Sequence, residues 1–232
     1  MIQVMALTFA LAASPPTGLY FEQSTVVYEQ GQSLGPGVRS RVWHSQGCLR
    51  LEAGDVVRGP ALVLCPGRNQ ALRLDPGRRV VVRLDLARLR ERSQSDAAVA
   101  AGLMGGGEED SVRTRAFEER RTIAGHPCRG FRITGPSVQM EVWVADDLGI
   151  GVDVFADFLD WSGAGSALGG LLTAIRALPG FPLETHTRVD VFGEIKETVS
   201  TVTAIEVGPQ PAALFEIPEG FRLEEEAPDQ PD

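Results

Sequence analysis

From Leu19 to Leu86 the chain is a series of short runs rich in β-branched and aliphatic residues, recurring about every ten positions between Gly, Pro and polar turn residues. Leu19–Tyr28, Val38–Trp43, the stretch around Leu49 and Leu51, Ala61–Leu64, the stretch around Leu72 and Leu74, and Val80–Asp85 each read as a strand. The connections are too short for crossover helices, so successive strands must run antiparallel. One face of such a meander is oily and the other wet. The rhythm returns at Thr114–Ile123, Cys128–Thr134 and Val138–Ala145, with a turn at Gly125-His126-Pro127. In the last run Val138, Met140, Val142 and Val144 alternate against Gln139, Glu141 and Trp143. Two long strands close the pattern, Glu184–Ile195 and Glu197–Val207, joined near Glu194–Lys196. In the second, Val199, Thr201, Thr203, Ile205 and Val207 share one side.

Two segments break this rhythm. Residues 86–104 predict two helices, a short one with Leu86 and Leu89 apolar and a second from about Asp96, as its N-cap, through Met104, stopped by Gly105-Gly106-Gly107. In residues 151–178, Val152, Phe155, Phe158, Leu159 and Trp161 lie on one side of a helix and Asp153, Asp157 and Asp160 on the other. After Ser162–Gly165, Leu168, Leu171, Leu172, Ile175 and Leu178 recur at helical spacing until Pro179-Gly180. Amphipathic helices set among antiparallel strands need an apolar surface, and the oily face of the sheet supplies it. The expected class is α+β, an antiparallel meander with two or more amphipathic helices covering one face. The competing reading makes these helices plain core elements with no hollow beneath.

A length of 232 residues is ample for one domain with its own core. The net charge of −9 and the absence of a lysine-rich tract argue against nucleic acid as a partner. Acid concentrates at the end: Glu216–Asp232 holds Glu216, Glu219, Glu224, Glu225, Glu226, Asp229 and Asp232 against Arg222 alone. Residues 224–232 therefore read as an acidic, solvated tail, after Leu214, Phe215, Ile217 and Phe221 have docked around Pro218. Met1–Ala13 is uncharged and apolar, too short to span a bilayer, and ends in Ala10-Leu11-Ala12 before Ser14-Pro15-Pro16. It reads as a signal peptide, though without the basic start such peptides carry; a buried N-terminal strand is the alternative. Residues 14–223 would then form a single domain, with a helical lid near 86–104 and 151–178. The mature protein is expected in the periplasm or outside the cell and not spanning a membrane.

Three cysteines, Cys48, Cys65 and Cys128, leave at least one thiol unpaired. Folding Cys48–Ala53 onto Pro60–Cys65 sets position 48 opposite position 65, which permits a cross-strand disulfide; the alternative makes all three small buried hydrophobes. Catalytic patterns are missing. His44, His126 and His186 have no metal-ligand spacing, the serines lack a Gly-x-Ser-x-Gly elbow, and Asp146-Asp147 reads as turn chemistry. Cys128 two residues after His126 gives no evidence of the spatial opposition and oxyanion donor that a nucleophile and base require. Neither a metal nor a cofactor is indicated. Arg113, Arg115, Arg120, Arg121, Arg129 and Arg132 form a basic stripe, either a solvated face or a surface for anionic headgroups or a partner's acids.

The run Thr122-Ile123-Ala124-Gly125-His126-Pro127-Cys128-Arg129-Gly130-Phe131-Arg132-Ile133, followed by Met140-Glu141-Val142-Trp143-Val144-Ala145, resembles the bacterial envelope family known as domain of unknown function 4412. The closing Ala213-Leu214-Phe215-Glu216-Ile217-Pro218-Glu219-Gly220-Phe221 is similar to that family as well. The layout also resembles the lipoprotein-carrier-like (LolA/RseB-like) half-barrel superfamily. That resemblance implies a sheet curled into a half-barrel whose concave face, covered by helices, holds acyl chains. It implies a non-enzymatic envelope protein binding a lipid or lipoprotein acyl chain. Phe155, Phe158, Trp161, Leu168, Leu171, Leu172 and Ile175 would line the lid, with Trp143 at the rim. The alternative is an envelope protein-interaction or stress-sensing module with a filled core and a protein partner.

Overall fold

A computed structural model describes residues 18–54, 60–89, 91, 95, 112–136, 138–156, 170–191 and 193–226. Its strands in chain order are β1 (Gly18–Glu29), β2 (Gln32–Ser33), β3 (Val38–Ser45), β4 (Cys48–Ala53), β5 (Ala61–Cys65), β6 (Gln70–Asp75), β7 (Val80–Leu84), β8 (Arg113–Ile123), β9 (His126–Thr134), β10 (Val138–Ala145), β11 (Phe181–Val191), β12 (Glu194–Val207) and β13 (Arg222–Glu225). All thirteen belong to one open sheet, ordered β13-β7-β6-β5-β4-β3-β1-β12-β11-β10-β9-β8, with the short β2 beside β1. The two meanders predicted from the pattern are joined where β1 pairs with β12, Leu19 opposite Val207 and Glu29 opposite Lys196.

Local chemistry sets the hairpins. Gln30-Gly31, Gln46-Gly47 and Ala124-Gly125 each place two successive residues at positive φ. A two-residue turn of that shape matches the right-handed twist of the strands it joins. The last of these moves the turn ahead of His126 and Pro127, which begin β9 instead of forming a turn. The β11–β12 turn likewise falls earlier than Glu194–Lys196, at Gly193 (φ +87), whose N–H donates to Asp190 Oδ1 at 2.7 Å.

Register divides the sheet into two faces. One row runs Phe21, Val42, Leu51, Leu62 and the next Tyr20, Trp43, Arg50, Val63, Leu72. The first, inner, face carries a core of Leu19, Phe21, Val42, Phe181 and Val202, with Ile150, Val154 and Phe155 packed on it. It continues into Ile133, Met140, Val142 and Val144, covered by helix α1 (Gly170–Arg176) through Leu171 and Ile175. At the other end Leu86 and Leu89 cover Leu62, Leu64, Ala71 and Leu84. The fold is mostly strand, and α-helix among the described residues is found at 86–89, 91, 95, 153–156 and α1. The helices expected within 86–104 and 151–178 lie mainly outside the described residues.

The outer face has its own core. Ala61, Val63, Leu72, Leu74 and Val81 are covered by Leu214, Phe215 and Phe221, so the segment after β12 docks as its apolar residues require. Cys48 and Cys65 are joined by a disulfide within this cluster. Two sequence expectations fail here. β12 does not keep one face: Thr203 is the extra residue of a bulge opposite Glu22 and Gln23, so Val199 and Thr201 face outward while Val202, Ile205 and Val207 face the inner core. The chain also does not leave the sheet at Glu224. Arg222–Glu225 pair in parallel with Val80–Arg83, and the Glu226 N–H donates to the Arg83 carbonyl at 3.0 Å. The open hydrogen-bonding edge of β7 outweighs the repulsion among the acids, helped by Arg83–Glu225 at 3.0 Å and Arg222–Glu224 at 2.6 Å.

Candidate functional site

The inner face is where apolar side chains and the helical pieces meet. Phe155, carried on the helical turn 153–156, touches both inner clusters and stands edge-on to Phe181 at 6.2 Å between ring centroids. Phe181 in turn meets Phe21 edge-on at 5.5 Å. This chain of rings spans from β1 to the helical cover, and such edge-to-face pairs add roughly 0.5–1.5 kcal/mol each beyond area burial. Of the predicted lid residues, Leu171 and Ile175 are sealed against β9 and β10, at 2% and 0% exposure. Leu172 and Phe155 are half-buried. Phe158, Trp161 and Leu168 lie outside the described residues.

The inner face is not filled everywhere. At its margin, between the start of β1, the β3–β4 turn and residues 150–154, lies a hollow of about 270 Å³ bounded by Gly18, Leu19, His44, Gln46, Gly47, Ile150 and Val154. Its walls are mainly aliphatic and backbone. Sequence reasoning did not single out Leu19, Ile150 or Val154 as a wall, because strand order alone brings residue 19 to residue 150.

Trp143 is placed differently from expectation. The register Trp143–Glu184–Thr201–Ser24 puts it on the outer face, away from α1, and the residue is 2% exposed. Phe117 lies against it at 5.6 Å and the Arg121 guanidinium sits 4.1 Å from its centroid. It is therefore part of the packing on the face away from α1. Opposite it, Gly130 leaves the space that Phe117 occupies: a Cβ there would lie 2.2 Å from Phe117 Cδ2.

The outer face also holds the buried charge. Arg50 donates from Nε and Nη2 to Glu52 Oε1 at 3.0 and 2.7 Å, and Arg41 approaches the other carboxylate oxygen at 3.4 Å. The Tyr20 hydroxyl donates to Glu22 at 2.5 Å, and burial together with that carboxylate raises its pKa above the ordinary phenol range. These contacts organise structure. Cys128 is fully buried; its Sγ donates to the His126 carbonyl at 3.4 Å, and burial pushes its pKa to about 11. A thiol held neutral in this way is a poor nucleophile at neutral pH. The His126 ring faces Asp147 instead, Nδ1 to Oδ2 at 3.0 Å, and His186 faces Glu197 at 3.4 Å. Among the described residues no three His, Cys, Asp or Glu side chains converge on a metal site, and no helix is long and apolar enough to cross a membrane.

One open curled sheet of thirteen strands, with an apolar inner face partly covered by helix and a hollow at its margin, defines the scaffold. Residues 106–221 match the family described as Domain of unknown function (DUF4412), and the chain belongs to that family. No curated protein shows significant sequence similarity to it. Among solved structures, it is similar to an uncharacterized conserved protein from Thermus thermophilus, at 10% identity and a TM-score of 0.45, with 91% of each chain covered. It is also similar to MucB in its complex with MucA(peri), at 14% identity and a TM-score of 0.42, covering 88% of this chain and 56% of that one. A third, PNGF-II, shares 15% identity at a TM-score of 0.37; 90% of this chain is covered, and it spans 31% of the PNGF-II chain.

Proposed function

We propose that this is a non-enzymatic envelope protein whose inner face takes a lipid or lipoprotein acyl chain, entering by the hollow bounded by Leu19, Ile150 and Val154. The observation that carries this reading is that hollow: about 270 Å³ of aliphatic-walled space continuous with the core that Phe155 and Phe181 cross. An alkyl chain needs no hydrogen-bonding partner, and such walls offer almost none. Each methylene removed from water gains roughly 0.8 kcal/mol, so about ten suffice for micromolar affinity before association costs are counted. Phe158, Trp161 and Leu168 would complete the lid side. The Cys48–Cys65 disulfide supports placing the protein in an oxidising compartment, the periplasm or outside the cell. Residues 1–13 would be removed on export.

Native mass spectrometry of the mature protein tests this. Copurified lipid adducts are expected, reduced when Ile150→Trp and Val154→Trp fill the hollow. Ligand-free spectra from gently extracted wild-type protein would count against it.

A second reading, a protein-interaction module of the envelope with a filled core, is favoured by the sealing of Leu171 and Ile175 against β9 and β10. It predicts a partner protein instead of a lipid adduct.

A further inference from the structure

The sheet is open, and one of its two edges is the eleven-residue strand β8, which pairs with β9 on one side and, among the described residues, with no strand on the other. Of the six complete rows across β10, β9 and β8, four end on arginine at that edge, among them Gln139–Thr134–Arg113, Glu141–Arg132–Arg115 and Val144–Arg129–Arg120; the other two end on Thr114 and Ala116. In two of these rows arginine lies directly opposite arginine, an arrangement that costs stability unless compensated. Compensation reaches only the inner member. Arg132 bonds Glu141 at 2.6 Å and Arg129 bonds Asp146 at 2.8 Å. Arg113, Arg115 and Arg120 are exposed and meet no carboxylate among the described residues. The chain as a whole is acidic, with a net charge of −9, so this edge runs against its overall balance. Beside it, on the outer face, lies a shallow hollow of about 420 Å³ whose lining sets Arg115, Arg121 and Arg132 among Glu118, Glu119 and Glu141 around Phe117.

We propose that the free edge of β8 docks an extended acidic segment of a partner protein, which adds to the sheet as its next strand. Backbone N–H and C=O groups of the edge supply the affinity common to any strand, and the arginines select acid. Arg113 and Arg115 lie two apart on the outer face, so the incoming strand should carry acidic residues at alternate positions, Glu-x-Glu or Asp-x-Asp. Arg120, on the other face, would take an acid of opposite parity beyond the bulge between Ala116 and Arg120. Strand addition favours a polypeptide over a lipid surface, because only a polypeptide can satisfy the edge's hydrogen bonds. The proposal stands independently of the acyl-chain reading.

The test titrates the oxidised protein with a synthetic peptide of about nine residues alternating glutamate and threonine, and with its lysine–threonine counterpart. Affinity is read by fluorescence anisotropy, and protection of β8 amides by hydrogen exchange. The acidic peptide should bind, weaken with salt, and slow exchange in β8. The Arg113→Glu/Arg115→Glu/Arg120→Glu variant should bind it at least about tenfold more weakly, while Arg68→Glu/Arg78→Glu, away from that edge, binds as wild type. No binding by the wild type, or equal binding by the triple variant, would overturn the proposal and leave the arginines as guards against strand-to-strand aggregation. Cosedimentation with phosphatidylglycerol vesicles without peptide binding would overturn it in favour of a membrane surface.

Discussion

The Arg50 guanidinium donates from Nη1 to the Leu214 carbonyl oxygen at 2.8 Å while its other nitrogens hold Glu52. One buried side chain thus ties the segment after β12 to β4 and neutralises a carboxylate beneath it. The docking of Leu214 and Phe215 on the outer core depends on it as well as on apolar contact.

Replacing Arg50 by Met should therefore cost about 2–3 kcal/mol of stability in urea unfolding, since Glu52 keeps only Arg41 and the Leu214 carbonyl loses its donor. The Arg50→Met/Glu52→Leu double variant should recover much of that loss, because no charge is then left buried without its partner. A double variant no better than the single one would show that the carboxylate is not the source of the cost.

The Cys48–Cys65 bridge closes a separation of 17 residues. Reduction, or Cys48→Ala/Cys65→Ala, should lower stability by about 3 kcal/mol on the chain-entropy account. Unfolding in matched oxidised and reduced samples reads it, and coincident transitions would refute the estimate.

Cys128 sets a pH dependence. Its thiol stays neutral in the folded protein up to about 11, whereas in the unfolded chain it ionises near its ordinary value. The folded state then holds more protons between those values, so stability is full below the ordinary thiol range and falls as pH rises toward 11. Tyr20, also raised, acts in the same direction at higher pH. Cys128→Ala should flatten the fall in the thiol window. Alkylation of the native thiol at neutral pH should be slow and accelerate on unfolding.

Gly130 gives Phe117 its place over Trp143, so Gly130→Ala should push that ring off the indole, at a cost of about 1 kcal/mol. The fluorescence of Trp143 should shift to the red. An unchanged spectrum would mean that the ring is held by Arg121 alone.

Much of this architecture is written locally. The strands from β3 to β7, the alternation of Val138 to Val144 and the docking of Phe215 follow from side-chain period and turn residues, and the register that brings Cys48 near Cys65 follows from counting across one hairpin. What is illegible is what distant segments decide. Nothing near residue 19 announces that β1 lies beside β12, so the Leu19–Ile150–Val154 hollow has no local signature. The bulge at Thr203 shifts the phase of β12 in mid-strand, which a uniform alternation of Val199 to Val207 conceals. Glu224 and Glu225 look solvated until the open edge of β7 is known. Trp143 alternates correctly in sequence, but which of the two faces the helices choose depends on the whole sheet.

The claim on which this account rests is that an alkyl chain lodges at the margin of the inner face. Stearate carrying a nitroxide near its methyl end, titrated into protein labelled with ¹³C in its methyl groups, addresses it directly. Selective broadening of the Leu19, Ile150 and Val154 methyls, with those of Val63, Leu72 and Val81 on the outer face unaffected, is the predicted result. Broadening that is absent, or equal on both faces, would contradict it.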